Sequence, residues 1–558
     1  MIPNGKLRIL PLGGLGEIGK NMMLIQYGRE GMIIDTGIMF PENDMLGIDY
    51  IIPDFQYVVD QIAQGNLVIH GIIVTHGHED HTGAIGHVLD AIPVPVYATA
   101  LTAGLLEVKM LQFGHADHPL HVFKAGDVLT LGPFTVETFH VCHSIPDGVG
   151  LGINTPIGLV VHSSDFKFDH TPVDGWPPDF AKLAEFAQRG VLALLSDSTN
   201  ADQEGWTPSE VVIDKAFDQV FSQAQGRIIV ATFASLISRI QQVAQAAQRH
   251  NRKMAIAGHS MTEYIKVATR LGYLNLPKDL LVPVDRANKM PPHEVVIMAT
   301  GTQGEPSAVL GRLAWGQHRQ LEIERGDTVI MSAHPIPGNE ELVHRTINKL
   351  IQRGAHVIYH PIAQVHVSGH ARREELKLLI NMLRPKFFIP VHGELRHLTQ
   401  HSLLAQELGI PPQNIAVVEN GTEIFLTPDR LEVGERVPGG YVFVDGKGVG
   451  DVGPIVMRDR ESLGRDGFVS VLVLIDAQTH ELLEPPEIIS RGFVFWRDAT
   501  ELMIMAQELI AQVVRTHRQG NLTLAIQDAL AKLFYTETKR RPMTFAFVRE
   551  VRGEVVPV

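Results

Sequence analysis

The stretch IIVTHGHEDHTG, residues 72–83, places three histidines and two carboxylates within six positions, directly after an apolar run. The apolar, β-branched residues predict a buried strand. Because strand side chains alternate, His76 and His78 project to the same side. Asp80 and His81 continue into a turn that enters a helix, so they can face the other side of a shared cavity. Imidazole and carboxylate ligands without cysteine suit zinc, and this loop therefore predicts a site for two metal ions.

A site for two metals needs further ligands, and these should also lie at strand ends. His143 follows FTVETFHVC, Asp165 follows GLVVHSS and His392 follows PKFFIPV, so that each comes after an apolar run. Asp165 can bridge both ions because a carboxylate has two oxygens to share. His140 and His162 lie just upstream of two of these positions, and we interpret them as core histidines.

The glycine-rich GLGEIG, Gly14 to Gly19, matches the pattern of a dinucleotide-binding loop, and Asp35 follows at a suitable spacing. That motif requires a helix directly after the glycines. Here two apolar runs separated by GRE follow, which predicts a hairpin, and we reject the dinucleotide site. Asp35 closes the run GMIID and is expected instead to orient the loop histidines from behind.

Composition limits the classes of function. The 558 residues predict more than one domain. The chain holds no apolar run of the roughly 18–20 residues that a membrane span needs, and its N-terminus lacks the features of a secretory signal. The one cysteine, Cys142, fits a reducing cytoplasm and is expected to be buried structure. A net charge of −14 argues against a nonspecific polyanion binder, so a nucleic-acid function requires locally placed positive charge.

The sequence pattern changes along the chain. Residues 6–165 consist mostly of short strands with glycine-rich turns. From about 209 to 350, strands and helices alternate, which predicts a parallel sheet with its working loops at the carboxyl ends of the strands. Residues 355–425 return to short strands and histidines. A glycine-rich connector is expected at 431–460, before a last α/β unit at 466–558.

Three further motifs accompany the histidine loop, which resembles the H-x-H-x-D-H signature of the metallo-β-lactamase superfamily. SDSTN carries Asp197, HVSGHARREE carries His370 and VHGE carries His392, and these match the three extra motifs of the β-CASP nucleases. The alternating block lies where that family has its inserted domain. With the C-terminal unit, the whole chain resembles the bacterial ribonuclease J family.

The resemblance implies an α/β fold: a metallo-β-lactamase αββα sandwich with an inserted β-CASP α/β domain and a small C-terminal α/β domain. The expected bounds are 1–205 for the first part of the metallo-β-lactamase domain, 206–355 for the β-CASP domain, 356–430 for the second part of the metallo-β-lactamase domain, 431–465 for a linker and 466–558 for the C-terminal domain.

The resemblance also implies the roles of individual residues. One zinc ion would be held by His76, His78, His143 and Asp165, and the other by Asp80, His81, Asp165 and His392, with manganese able to replace zinc. Asp35 and Asp197 would support these ligands from behind. The substrate phosphates would bind Ser235, His366, Val367, Ser368, Gly369, His370 and Ala371. A structural calcium ion would bind near Gly47, Asp49 and Asp445.

Phosphodiester hydrolysis needs a nucleophile, charge neutralisation at phosphorus and protonation of the leaving oxygen. A water between two metal ions is acidified toward neutral pH, and we expect Asp80 to orient or deprotonate it. His370 is expected to stabilise the scissile phosphate or to protonate the leaving group. Backbone N–H groups of the loop Ser368, Gly369 and Ala371 can cradle phosphate. Local positive charge is expected from Arg239, Arg372 and Arg373 along a groove.

These features predict a zinc-dependent ribonuclease with 5′-to-3′ exonuclease activity on 5′-monophosphate RNA and with endonuclease activity, acting in RNA maturation and decay in the cytoplasm. We expect a homodimer or homotetramer, RNA-degradation partners and no membrane association. The alternatives are a DNA-acting β-CASP nuclease, a small-molecule metallo-hydrolase on the same fold and a non-catalytic RNA scaffold. The long insertion between Asp165 and His392 argues against a small substrate, and the intact ligand set argues against a scaffold.

Overall fold

The computed structural model describes residues 5–42, 44–336, 338–494, 500–517 and 520–551. The chain divides into two compact units. The first comprises Met1–Glu42 and Tyr50–Val442, and the second comprises Asn43–Asp49 and Phe443–Val558.

The first unit begins with short strands joined by loops and short helices, as the apolar runs predict. Its strands before the insertion are β1 (Leu7–Gly13), β2 (Leu15–Gly16), β3 (Met22–Tyr27), β4 (Glu30–Ile34), β5 (Tyr50–Pro53), β6 (Val68–Val74), β7 (Val96–Thr99), β8 (Leu120–Phe123), β9 (Val128–Leu131), β10 (Phe134–His140), β11 (Val149–Thr155), β12 (Gly158–His162) and β13 (Val191–Asp197). The helices of this part are α1 (Gln56–Ala63), α2 (Glu79–Thr82), α3 (Ile85–Ala91), α4 (Ala100–Gln112) and α5 (Phe180–Arg189).

The inserted block alternates helix and strand. Its elements are α6 (Val212–Gln223), β14 (Ile228–Ala231), α7 (Ile237–Arg249), β15 (Lys253–Ala257), α8 (His259–Arg270), α9 (Val284–Ala287), β16 (Val295–Ala299), α10 (Val309–Trp315), β17 (Thr328–Met331), α11 (Glu340–Gln352) and β18 (His356–Ile358). The strands pair in parallel in the order β15-β16-β14-β17-β18, which confirms the parallel sheet predicted from the alternation.

The chain then returns to the first domain through α12 (Arg373–Leu383), β19 (Phe387–Val391), β20 (Gly393–Glu394), α13 (Leu395–Glu407), β21 (Thr422–Leu426) and β22 (Leu431–Arg436). Two large sheets result, in the orders β22-β21-β1-β3-β4-β6-β7-β8 and β19-β13-β12-β11-β10-β9. One apolar core joins their facing sides, with Ile9 and Ile25 from the first sheet and Leu151 and Phe387 from the second. Helices α5, α12 and α13 pack on the other side of the second sheet. The predicted sandwich with an inserted α/β domain is confirmed.

The second unit holds a small three-stranded sheet under two helices. The elements from residue 441 onward are β23 (Tyr441–Asp445), β24 (Gly448–Val449), α14 (Pro454–Asp466), β25 (Phe468–Asp476), β26 (Glu487–Arg491), α15 (Thr500–Thr516), α16 (Leu522–Thr538) and β27 (Met543–Val551). The sheet order is β26-β25-β27, and Ala506, Ile510 and Val514 of α15 enter its core. The stretch 431–465, expected as a linker, instead carries β22, β23, β24 and α14.

The glycine-rich Gly14–Gly19 stretch leads into the antiparallel hairpin β3–β4 rather than a helix, as the spacing of the apolar runs predicts. Among the described residues, no helix combines the length and the apolar character that crossing a bilayer requires.

Candidate metal centre

Three neighbouring strands of the second sheet end at one place. Strands β12, β13 and β19 run parallel to one another, so their carboxyl ends lie at the same edge of the sheet. Asp165 follows β12, Asp197 is the last residue of β13 and His392 follows β19. From the first sheet, β6 ends at Val74 and leads directly into the loop 75–81. The strand ends therefore bring together residues that lie far apart in the chain.

The first group of potential ligands consists of His76, His78 and His143, whose ligand atoms lie within 4.8 Å of one another. His78 Nδ1 and His143 Nε2 are 3.1 Å apart, and His76 Nε2 is buried without a hydrogen-bond partner. Burial lowers the pKa of all three imidazoles, that of His78 to about 4. They are therefore neutral at pH 7, which is the state that binds a metal ion.

The second group consists of Asp80, His81, Asp165 and His392. Asp165 Oδ2 lies 3.2 Å from His81 Nε2 and 3.6 Å from His392 Nε2. The same oxygen lies 3.6 Å from His76 Nε2 of the first group. Asp165 thus reaches both groups, as a bridging ligand must.

Opposite charges dominate the electrostatics of this second group. Burial alone would raise the pKa of Asp165, but His392 and His81 hold it well below its usual value. Burial alone would lower the pKa of His81 and of His392, but in both Asp165 is the largest contribution that raises it. Bound cations would take the place of these imidazolium protons, because metal binding and protonation compete for the same atoms.

Hydrogen bonds from behind fix the orientation of three of the histidines. His81 Nδ1 lies 2.8 Å from Asp35 Oδ2, and His143 Nδ1 lies 2.8 Å from the carbonyl oxygen of Gly369. His392 Nδ1 lies 2.7 Å from Thr199 Oγ1. With Nδ1 engaged in this way, Nε2 of each ring faces the cavity, which is the arrangement that ligating histidines adopt in metalloproteins.

Two of these residues have an uncommon backbone. Asp35 and His392 lie in the left-handed region, with φ of 62° and 54°. Non-glycine residues there carry roughly 1–3 kcal/mol of strain, which is retained mainly at functional sites. The strained backbone, the orphaned His76 Nε2 and the inward Nε2 atoms together fit a pair of bound metal ions.

A third group, which shares Asp165 and His392 with the second, adds Asp197 and His370. His370 Nδ1 lies 2.8 Å from Asp197 Oδ2, and Asp197 also accepts hydrogen bonds from the backbone N–H and hydroxyl of Thr199. Burial would lower the pKa of His370, but Asp197 raises it above its ordinary value. The side chain of His370 is 19% exposed and that of Asp197 only 1%, so His370 is the member that a substrate can contact.

The expected phosphate loop is only partly free to bind a ligand. His366 is buried, and its Nδ1 has no hydrogen-bond partner. Ser368 accepts a hydrogen bond from Asn200, and Val367 is buried in the core of the inserted domain. The remaining predicted members of this set are Ser235, which is buried after β14, and Ala371, which is also buried.

The backbone N–H of Ala371 donates to the carbonyl oxygen of Phe166 at 2.6 Å. It cannot also cradle a phosphate, and the predicted nest is wrong at this amide.

The prediction that Arg239 lines a groove is wrong. Its side chain is completely buried, and its guanidinium pairs with Glu210 at 2.5 Å and donates to the carbonyl oxygen of Val365. Arg239 lies on the amphipathic helix α7. The sequence alone does not show which face of that helix is buried against the rest of the domain. Arg372 and Arg373 are only partly buried, as a groove residue needs to be.

Sequence reasoning missed several contacts at the site. Thr199 lies within the SDSTN motif, but only the structure shows that its hydroxyl bridges His392 and Asp197. Ser144 lies 3.3 Å from His78 Nε2, and Asn21 lies 3.1 Å from His81 Nε2. Short polar side chains of this kind carry no signal in a single sequence.

Three residues that we interpret from the sequence as structural, His140, His162 and Cys142, lie outside the ligand groups formed by the described residues. His140 stacks on Trp176 and bonds the carbonyl oxygen of Pro177, while His162 accepts a hydrogen bond from the backbone N–H of Ser164. Cys142 is buried, and burial raises the pKa of its thiol to about 12. Its Sγ donates to the carbonyl oxygen of Trp176, which fits a structural role.

The expected calcium residues lie together in the second unit. Asp49 accepts a hydrogen bond from the backbone N–H of Gly446, and Asp445 pairs with the guanidinium of Arg460. Arg460 also donates to the carbonyl oxygen of Leu46, next to Gly47. A positive charge therefore already stands beside the carboxylate of Asp445.

Comparison with protein families accounts for most of the chain. Residues 15–199 match the metallo-beta-lactamase superfamily, and residues 225–350 match the ribonuclease J beta-CASP domain. Residues 354–415 match the Zn-dependent metallo-hydrolase RNA specificity domain, and residues 455–551 match the ribonuclease J C-terminal domain.

Relatives and solved structures agree with these matches. The chain is 41% identical to ribonuclease J2 of Bacillus subtilis over 98% of this chain and 99% of that protein. It is 43% identical to ribonuclease J of Thermus thermophilus over 98% of this chain and 96% of that protein. A crystal structure of a protein of unknown function from Enterococcus faecalis shares the fold, with a TM-score of 0.52 and 15% identity over 75% of this chain and 100% of that one. The chain therefore belongs to the ribonuclease J family, whose members are RNA-hydrolysing metalloenzymes.

Proposed function

We propose that the protein hydrolyses RNA phosphodiester bonds with two zinc ions, and that it acts both as a 5′-to-3′ exonuclease on 5′-monophosphate RNA and as an endonuclease. The observation that carries this proposal is the position of Asp165, one oxygen of which reaches both groups of potential ligands. The residues assigned to metal binding are His76, His78, Asp80, His81, His143, Asp165 and His392.

When bound, the metal ions would supply the positive charge that acidifies an attacking water and neutralises charge at phosphorus. Asp80 is the most accessible member of the second group, with a side chain 30% exposed against 3% for Asp165. It is therefore placed to orient the attacking water and to accept its proton. Protonated His370, held by Asp197, donates to the scissile phosphate or to the leaving oxygen.

The 5′ end of the RNA is assigned to the predicted phosphate-binding residues Ser235, His366 and Ser368. His366 Nδ1 is a buried polar atom without a partner, and such atoms in native proteins call for a ligand or water. The same loop meets the metal centre, because the Gly369 carbonyl oxygen holds His143. A phosphate-binding site attached to the metal centre in this way would favour removal of nucleotides from a phosphorylated end.

The alternative substrates are disfavoured by the inserted domain and by the family relationship. A small-molecule hydrolase needs no additional domain beside its site, whereas here the loop 366–371 returns from the insertion directly to the metal ligands. RNA rather than DNA follows from the family, since the RNA specificity domain matches residues 354–415.

The test compares one internally labelled RNA that carries either a 5′-monophosphate or a 5′-triphosphate, with zinc or manganese added. Rapid release of mononucleotides from the monophosphate form, and slow attack on the triphosphate form, is the expected result. Internal fragments alone, regardless of the 5′ end, would remove the basis for the 5′ phosphate-binding site. Cleavage of a matched single-stranded DNA at an equal rate would favour the DNA-acting alternative, and no cleavage of either would contradict the proposed activity.

The remaining proposals concern the setting of this activity. We infer a homodimer acting in the cytoplasm, and light scattering of the purified protein distinguishes it from a homotetramer. Partners in RNA degradation stay a prediction. The calcium ion also stays a prediction. Because Arg460 already neutralises Asp445, calcium must displace that guanidinium. A melting temperature that does not change when calcium is added would exclude the site.

A further inference from the structure

One helix of the inserted domain reaches the histidine loop, residues 76–81. Helix α8 (His259–Arg270) carries Tyr264, and Tyr273 follows shortly after its end. Both tyrosines belong to the core of the inserted domain, the first buried and the second partly buried. The hydroxyl of Tyr264 donates a hydrogen bond to a carboxylate of the metallo-β-lactamase domain. Burial and the charge of a second carboxylate of that domain raise the pKa of Tyr273.

The first carboxylate is that of Glu79, which stands between the ligands His78 and Asp80. The hydroxyl of Tyr264 donates to Glu79 Oε1 at 2.7 Å, and the ammonium of Lys109 pairs with Glu79 Oε2. The backbone carbonyl of Glu79 accepts two further hydrogen bonds from N–H groups of its own domain. The side chain of Glu79 thus connects the histidine loop to the inserted domain.

The second carboxylate is that of Asp147, four residues after the ligand His143. Asp147 is buried and adopts a left-handed backbone, with φ of 68°. It accepts a hydrogen bond from the backbone N–H of Leu101. After burial, its charge is the next cause that raises the pKa of Tyr273, so the inserted domain also lies beside the loop that carries His143.

Close packing holds the helix against its neighbour in the first domain. Gly104 of α4 leaves room for α8, since a Cβ atom at this position would lie 2.6 Å from Val267 Cγ1. Leu101 and Leu105 of α4 share one apolar core with Tyr264. The hydroxyl of Tyr264 is thus presented to the histidine loop by a helix that cannot shift without disrupting the core.

We propose that Tyr264 is a positioning residue, through which the inserted domain holds the His76–His81 loop in the geometry that binds metal. The proposal rests on the proposed function, because it assigns metal binding to that loop. The bond is made to a carboxylate that stands between two of the ligands, and residues that support ligands from behind tune metal affinity as well as activity. A site without the inserted domain would lack this contact.

The test uses Tyr264→Phe in the full-length protein, because phenylalanine removes only the hydroxyl and keeps the packing. Zinc affinity is measured by competition with a chromophoric chelator. We expect the variant to raise the zinc dissociation constant about 10-fold, the lower end of effects from partners behind the ligands. We expect kcat on RNA to fall while KM stays within about 2-fold, since no substrate contact is removed.

A matched control is Tyr535→Phe, which removes the hydroxyl of a tyrosine 43% exposed on α16 of the other unit and should leave zinc affinity and activity unchanged. In a Glu79→Ala background, Tyr264→Phe should have no additional effect on zinc affinity, because the acceptor is gone. Hydrogen exchange of the 76–83 segment in the metal-free protein should increase in Tyr264→Phe.

A melting temperature lowered with unchanged zinc affinity would show a merely structural role and overturn the proposal. An undiminished effect of Tyr264→Phe in the Glu79→Ala background would overturn it also. Failure of the proposed function is distinguishable, because the wild-type protein itself would then bind no zinc or leave RNA uncleaved.

Discussion

Replacing Asp197 by asparagine tests whether the third group acts on the substrate through His370. The carboxylate accepts three hydrogen bonds, two from Thr199 and one from His370 Nδ1. An asparagine of the same size can keep the two bonds from Thr199 with its amide oxygen. Its NH₂ group then faces His370 Nδ1, which can no longer donate. The variant therefore removes one charged hydrogen bond and little else.

The size of the effect follows from that single bond. A hydrogen bond to a charged group contributes about 1.5–3 kcal/mol. If it is fully expressed in the transition state, kcat falls about 10- to 150-fold, since about 1.4 kcal/mol corresponds to a factor of ten. The pH dependence changes too. Because Asp197 raises the pKa of His370 against the effect of burial, its removal lowers that pKa, and the alkaline decline of kcat moves to lower pH.

The assay is single-turnover cleavage of 5′-monophosphate RNA across a pH series, with bound zinc measured on the same samples. Asp202→Asn is the matched control, because Asp202 lies in the same loop but pairs with Arg396 at the surface. The reasoning is refuted if Asp197→Asn keeps kcat within about 3-fold of wild type, or if its alkaline limb does not move. Loss of zinc in parallel with activity would show instead that Asp197 supports His392.

Three further expectations concern packing, charge and metal. Gly369→Ala should lower the zinc content, as measured by metal analysis, because its Cβ would lie 2.6 Å from His143 Cε1 and displace that ring. Glu137→Gln should lower the melting temperature at pH 7. Burial alone would raise the pKa of Glu137, but hydrogen bonds, of which that from Lys182 is the largest, lower it to about 2. The ionised carboxylate therefore stabilises the fold fully above the unfolded pKa of 4.5. The difference in melting temperature between wild type and variant should shrink as the pH falls toward 2. Chelation of zinc should lower the melting temperature, and added zinc should restore it. If free zinc stood at 100 times its dissociation constant before chelation, the lost free energy of stabilisation is about 2.7 kcal/mol. A melting curve that does not change with chelator would contradict the metal site.

The convergence of the potential metal ligands could be predicted from the sequence because it depends on local signals. Each candidate follows an apolar run, and parallel strands end at one edge of a sheet, so His143, Asp165 and His392 converge as expected. The spacing of His76 and His78 on an extended segment likewise needs only the two-residue period of a strand. The alternation of strand and helix in the insertion was sufficient to predict its parallel sheet.

The contacts that hold these ligands could not be predicted, because they join segments far apart in sequence. The carbonyl oxygen of Gly369 meets His143 across 226 residues, and Tyr264 meets Glu79 across 185. A single sequence carries no information about such pairs. The same limit explains the error at Arg239: an arginine on an amphipathic helix is ordinarily exposed. Its burial here is made tolerable by the carboxylate of Glu210 together with the carbonyl oxygen of Val365.

The architecture explains how a metal centre can accommodate so large an insertion. Strands β13 and β19, which flank it in sequence, pair directly, with Asp197 opposite Val391. The backbone ladder therefore places Asp197 and His392 side by side whatever lies between the two strands. The insertion then contributes to the site from its own side, with His370 at its return and Tyr264 behind the histidine loop. Because these groups adjoin the proposed ligands, we expect a shift of the inserted domain to change the geometry of the metal centre.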